Sequence, residues 1–150
     1  MIDGEFEAGH SPRQVVQRFM STVRRSGDDT AAERVLAPIV RCHQVIAEDQ
    51  ITLTRTPHDY AEHVRDMRRA FGLFEFSVEE MLVDGDRVFV RWRQSGHHLG
   101  DIDGYPPTGL PLVEVGSAVY RVTRGRIEEY WVQIDRAGLH AQLEQARAAA

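Results

Sequence analysis

Lysine is absent from this chain of 150 residues: all 18 basic side chains are arginine. Schiff-base catalysis and the lysine of a phosphate-binding loop are therefore excluded. Any acid or base must be His, Asp, Glu, Tyr, Cys or water. Cysteine is nearly absent too. Cys42 stands alone, so no internal disulfide can form, and no nucleophile signature surrounds it. No run approaches the roughly 18 consecutive apolar residues that would span a bilayer. Positive charge is in deficit, with a formal net charge of -5. That balance argues against nucleic acid or an acidic membrane as a partner. The first ten residues are acidic and lack the basic-then-apolar pattern of a secretion signal. A cytoplasmic location is expected.

What is present suits one soluble domain, with 42% apolar and 27% charged residues. Residues 1–10 read as a flexible arm and 11–150 as a single domain. Ser11, Pro12 and Gln14 form a cap, a first-turn proline and a capping box. Val15, Val16, Phe19, Met20 and Val23 then follow at helical spacing. A short second helix is expected over about 29–36, ending before Pro38. Residues 39–55 suggest two short strands around a polar loop. Thr56-Pro57 opens a third helix, with Tyr60, Val64, Met67 and Phe71 on one face and Gly72 as its stop. The period then changes from 3.6 to 2. Strands are expected over 74–83, 87–98, 112–122 and 126–134, with Asp84-Gly85 as a tight turn. A Gly- and Pro-rich loop separates the second and third of these. A short helix closes the chain from about Arg136. This order predicts an α+β fold: a curved antiparallel sheet with three helices laid on one face, forming a cone open at one end.

Alternation assigns the faces. Trp92, Gln94 and His98 share one side of the second strand, opposite Arg91 and Arg93, and are expected inside. Glu114, Gly116, Ala118 and Tyr120 share the inner side of the third. In the fourth, Ile127 and Trp131 are expected inside. Val113, Val115 and Val119 form an outer apolar stripe, which points to a covering partner and predicts a homodimer. His98 and Glu114 flank the 100–111 loop. A carboxylate within reach of an imidazole can orient it or share acid–base work. The alternative is a satisfied polar pair at the mouth of a core. His43 is a third candidate, while His58 and His63 read as ordinary helix residues. His97 and His98 point to opposite faces and cannot chelate one ion, so no metal is expected. No glycine-rich phosphate loop follows a strand, so no organic cofactor is expected either.

The run Asp84–Trp92, then Gly96-His97-His98, Gly104–Gly109, Tyr120-Arg121, Gly125-Arg126-Ile127, Glu129-Tyr130-Trp131 and Asp135, resembles the SnoaL-like polyketide cyclase family. That family sits within the nuclear-transport-factor-like and ketosteroid-isomerase-like superfamily. The resemblance is strongest over residues 74–140. It implies a cone-shaped α+β barrel, a homodimer through the outer sheet face, and cofactor-free chemistry on a bulky, mostly apolar small molecule. In the cyclases that name the family, a histidine before the Gly-Pro loop and an aspartate after it serve an intramolecular aldol closure. His98 matches that histidine, and the aspartate's place falls near Glu114, which is one methylene longer. The expectation is a cyclase or isomerase of natural-product biosynthesis, with His98 and Glu114 catalytic. His43, Tyr60, Trp92, Gln94, Tyr120, Trp131 and Gln133 are expected to bind substrate. Two alternatives remain: a non-enzymatic small-molecule binder or accessory dimer, and an epoxide-opening or double-bond-shifting enzyme. The second would want paired carboxylates with an arginine inside the cone.

Overall fold

The first helix begins where its cap dictates. In a computed structural model describing residues 10–149, Ser11 N–H donates to Gln14 Oε1 at 2.9 Å and Gln14 N–H donates to Ser11 Oγ at 3.2 Å. The arm expected at residues 1–10 lies, except for His10, outside the described residues. Helix α1 spans Pro12–Arg18 and continues as a wider π-helical stretch over Phe19–Arg24. The widening matters. In a regular α-helix Arg24 would drift roughly 80° around the axis from Val16. Wider turns reduce that drift, and Val15, Val16, Phe19, Met20, Val23 and Arg24 are all buried. Helix α2 (Asp29–Val35) starts on an Asp28 cap. Helix α3 (Pro57–Phe71) starts on a reciprocal Thr56–Asp59 box and ends at Gly72.

Six strands follow the order β2-β1-β6-β5-β4-β3 across the sheet. They are β1 Leu36–Gln44, β2 Ile51–Arg55, β3 Glu75–Asp84, β4 Arg87–His97, β5 Pro111–Thr123 and β6 Arg126–Ile134. The meander β3 to β6 is antiparallel throughout, but β1 lies parallel to β6. The sheet is therefore mixed rather than wholly antiparallel, because β1 enters from the helical half instead of from a hairpin. The region 39–55, read as two short strands, becomes a hairpin whose first strand begins directly at the end of α2. Helix α4 (Arg136–Ala149) packs Leu139 and Leu143 inward. Its Gln142 side chain accepts from Val113 N–H at 3.0 Å and donates to Val113 O at 2.7 Å, which fixes the helix to the start of β5.

The concave side of the sheet receives the helices and carries the core. Val88, Val90, Trp92 and Gln94 of β4 and Leu112, Ala118, Tyr120 and Val122 of β5 are buried there. Gly96 lets the end of α3 close on β4, since a Cβ at that position would lie 2.3 Å from Phe71 O. β6 departs from simple alternation. Arg121 pairs with Glu129 while Val122 pairs with Ile127, leaving Glu128 as an extra residue. Such a bulge reverses the facing beyond it. Ile127 points inward as expected, but Tyr130, Val132 and Ile134 follow it. Trp131, expected inside, is on the convex face with Gln133.

Candidate functional site

A cavity of about 240 Å³ opens between the concave sheet, the end of α1, helix α3 and the β1–β2 loop. Three tyrosines shape its wall. Tyr60 of α3 meets Phe19 at 5.1 Å between ring centroids, Tyr120 of β5 meets Phe19 at 5.3 Å, and Tyr130 of β6 meets Tyr120 at 5.4 Å. Met67, Val132 and Ile134 add apolar surface, and Gln44, Val45, Ile46 and Arg136 complete the lining. Burial raises the tyrosine hydroxyls above their ordinary pKa, most strongly for Tyr120 and Tyr130. These hydroxyls stay protonated and can donate hydrogen bonds.

The polar groups come from five different elements. Glu114 on β5 faces the cavity, with Oε1 3.9 Å from Arg24 Nη2. Burial pushes its carboxyl up, and Arg24 only partly draws it back. Arg24 Nη1–H donates to Gln94 Oε1 at 2.9 Å, and its guanidinium lies over the Phe76 ring at 4.5 Å. This aromatic and amide cover explains how a charged helix terminus sits inside the core. Arg55, the last residue of β2, donates to the Tyr130 hydroxyl at 3.0 Å. His63 of α3 meets the edge of Tyr60 and lines the same space. Burial, and then the nearby Arg55 and Arg24 charges, lower it to about 4, so it is neutral at pH 7.

The expected site residues separate into groups. Glu114, Tyr60, Trp92 and Tyr120 line the cavity. Gln94 lies directly opposite Glu114 in the β4–β5 register and reaches the site through Arg24. His98 is brought to neither. It lies four residues beyond Gln94, about 13 Å further along the strand direction. It is buried under the Gly-Pro loop, donating from Nε2 to Tyr105 O at 3.2 Å. Its backbone is tied to Leu110 and Gly109. The pairing of His98 with Glu114 does not form, because the strand register sets Gln94 beside Glu114. His43, Trp131 and Gln133 lie on the convex face. There His43 Nε2 meets Glu129 Oε2 at 2.5 Å and its ring stacks on Trp131 at 5.2 Å. Even residues of β1, such as Val40 and Cys42, are the buried ones, so His43 points the other way. Sequence reasoning missed Arg24, Arg55 and Tyr130, and treated His63 as an ordinary helix residue. Arg24 had one legible signal, its position four residues after Met20 on the buried stripe.

Among the described residues no group of three or more His, Cys, Asp or Glu side chains could hold a metal ion, and no helix is long and apolar enough to cross a membrane. The layout is that of a cone-shaped α+β protein with a polar cluster at the bottom of an aromatic cup. The sequence profile of the SnoaL-like polyketide cyclases matches residues 14–143. The chain belongs to that family. It is similar to a candidate polyketide cyclase from Acidithiobacillus ferrooxidans, with 27% identity over 92% of this chain and 97% of that one and a TM-score of 0.78. It is also similar to IdmH, a candidate polyketide cyclase from Streptomyces antibioticus, with 26% identity, coverage of 90% and 99%, and a TM-score of 0.74. AclR, a candidate hydroxylase from Streptomyces galilaeus, shares the fold with 18% identity, coverage of 89% and 81%, and a TM-score of 0.72. No curated protein sequence gives a significant match.

Proposed function

We propose that the protein is a cofactor-independent cyclase or isomerase acting on a bulky, polyketide-like intermediate of secondary metabolism. The observation that carries this reading is Glu114: a carboxyl with a raised pKa, facing an aromatic cavity, with a guanidinium 3.9 Å away. Such a group can deliver a proton to, or remove one from, a carbon next to a carbonyl. Arg24 would stabilise the oxyanion that develops, and a tyrosine hydroxyl could donate to it. The cup holds a flexible chain in a folded, near-attack shape, which by itself lowers the barrier by several kcal/mol. His98 supports the loop rather than touching substrate. The test is turnover of a linear polyketide-like precursor by Glu114→Gln, against cyclised product formed by the unaltered protein.

The epoxide-opening alternative gains one support, an arginine inside the cone beside a carboxylate. It lacks the second carboxylate, since Glu114 is the one acidic residue among those lining the cavity. A mere binder would bind the same intermediate and release it unchanged. The reading also takes the protein to act as a homodimer through the convex face, in the cytoplasm. Val113, Val115 and Val119 are only half-buried in the single chain, which supports a covering partner. Light scattering at micromolar concentration should give twice the chain mass of 17.1 kDa; a monomer would remove the dimer from the proposal.

A further inference from the structure

The charges around the cavity do not balance. Arg24 and Arg55 both line it, and the facing carboxylate is Glu114 alone. Arg136, at the rim, is already paired with Glu48 at 2.5 Å. Arg24 is held by Gln94, by the Phe76 ring and loosely by Glu114. Arg55 differs. Among the described residues no carboxylate lies within ion-pair distance of it, and its hydrogen bond goes to a neutral tyrosine hydroxyl at 3.0 Å. A guanidinium carries five N–H donors in a planar fork that matches a carboxylate. Half-buried beside an aromatic wall, with Tyr130 and Cys42 as its hydrogen-bonding neighbours and Asp59 beyond ion-pair distance, it has lost part of its water without gaining a carboxylate in contact. His63, which lines the same space, is kept neutral by burial and then by the Arg55 and Arg24 charges, so it brings no charge of its own.

We infer that the cavity selects an organic anion, an apolar ring-bearing molecule whose carboxylate docks on Arg55 while its body lies against Tyr60, Tyr120 and Val132. This deepens the proposed function and rests on the cavity being the substrate site. It narrows the substrate class to an intermediate released as a free acid, because an ester or amide would leave Arg55 without its counter-charge. Glu114 and the Arg55 subsite are then on opposite duties. One exchanges protons at the reacting carbon; the other anchors a charge that does not react.

The experiment compares two isosteric probes, 2-naphthoate and 2-naphthamide, by isothermal titration at pH 7.5. With the unaltered protein 2-naphthoate should bind 1:1 and about tenfold or more tighter than 2-naphthamide, the usual size of a charge-assisted hydrogen-bond pair. In Arg55→Met the preference should shrink to about threefold or less, with 2-naphthamide affinity unchanged. Arg91→Met, on the convex face beside Glu80, should keep the full preference. A thermal melt checks that each variant is folded. Equal affinity for the two probes, no binding of 2-naphthoate at millimolar concentration, or a preference that survives Arg55→Met would each overturn the assignment. Turnover of Glu114→Gln is a separate readout, so the cyclase reading can stand if the anion preference fails.

Discussion

The two faces of the sheet carry the same kinds of residue and put them to opposite use. On the concave face Glu114 stands with Arg24 and, across the cavity, His63. On the convex face Glu129 stands with Arg41, Arg121 and His43. The side chains of Glu114 and Glu129 are almost equally covered, at 12% and 9% exposure. Their carboxyls nevertheless move in opposite directions. Burial works against ionisation of Glu129, but hydrogen bonds from His43 and Arg121, with the Arg41 charge, outweigh it and hold the group below the usual carboxylate range. Arg41 sits at 3.0 Å and Arg121 at 3.1 Å from Glu129 Oε1. Glu114 lies deeper in the protein and has one cation at 3.9 Å, so desolvation wins and its carboxyl is raised. Depth of burial and the number and closeness of a carboxylate's partners decide together.

The largest effect expected from this contrast is catalytic. Glu114→Gln removes the carboxyl proposed to exchange protons and keeps the shape, so turnover should fall by about 10²–10⁴ with the fold and ligand binding retained. His98→Asn, which touches the loop and not the cavity, should leave turnover within a few-fold and lower the melting temperature instead. Steady-state rates and thermal melts on both variants decide. Equal rate losses would return His98 to the chemistry, and no loss in Glu114→Gln would leave shape-driven folding of the substrate or simple binding.

Next in size is the convex network. Glu129→Gln keeps a hydrogen-bond acceptor but strips the charge that Arg41, Arg121 and His43 share. Arg41 is more than half exposed, with 56% of its side-chain surface open, so its share is screened and small. The half-buried His43 and Arg121 contacts dominate. A loss of about 2 kcal/mol is expected, or about 4–8 °C in melting temperature for a chain of this length. Turnover per folded molecule should not change. A rate loss as large as that of Glu114→Gln would erase the distinction between the faces.

How much of this was legible in the sequence follows from local regularity. The caps at Ser11 and Thr56 and the stop at Gly72 are side-chain and backbone chemistry within one turn, and they fall where the residues place them. The facing of β4 and β5 was legible because these strands pair without a break from Arg87 opposite Arg121 to His97 opposite Pro111. β6 was not. Its bulge at Glu128 is set by pairing with a neighbour, and a shift of one residue exchanges Tyr130 for Trp131 inside the cup. The facing of His43 depended on a strand that begins at the end of α2, before the alternation could be seen. Arg24 and Arg55 escaped because a charged side chain is ordinarily read as solvent-facing. Their burial depends on Phe76, Gln94 and Tyr130, which are distant in sequence. Of the candidate pair, Glu114 faces the cavity, while the register that puts Gln94 beside it carries His98 past the cavity.

The smallest expected effect concerns stability against pH, and it tests whether the concave cluster is as poorly compensated as the convex one is well compensated. His63 titrates at about 4 in the fold against 6.5 in the open chain, through burial first and the Arg55 and Arg24 charges second. Between those values the unfolded chain binds more protons. The stability that comes from keeping His63 neutral is therefore complete above pH 6.5 and is lost as pH falls toward 4. Over the window from about pH 6.5 to about 4.5 the loss should be about 2 kcal/mol, allowing for the side chain's partial opening to the cavity. Glu114 acts in the opposite sense. Its raised carboxyl takes up a proton earlier in the fold, so stability rises as pH falls through that group. Glu129, Glu62 and Glu144, whose carboxyls are held low by their cationic and hydrogen-bonding partners, act mainly below their ordinary pKa, and so outside the window. Urea unfolding of His63→Phe should thus show a slope that is flat or reversed between about pH 6.5 and about 4.5, where the unaltered protein loses stability. Parallel curves for the two proteins would mean that burial and the two arginines do not hold His63 neutral in the fold.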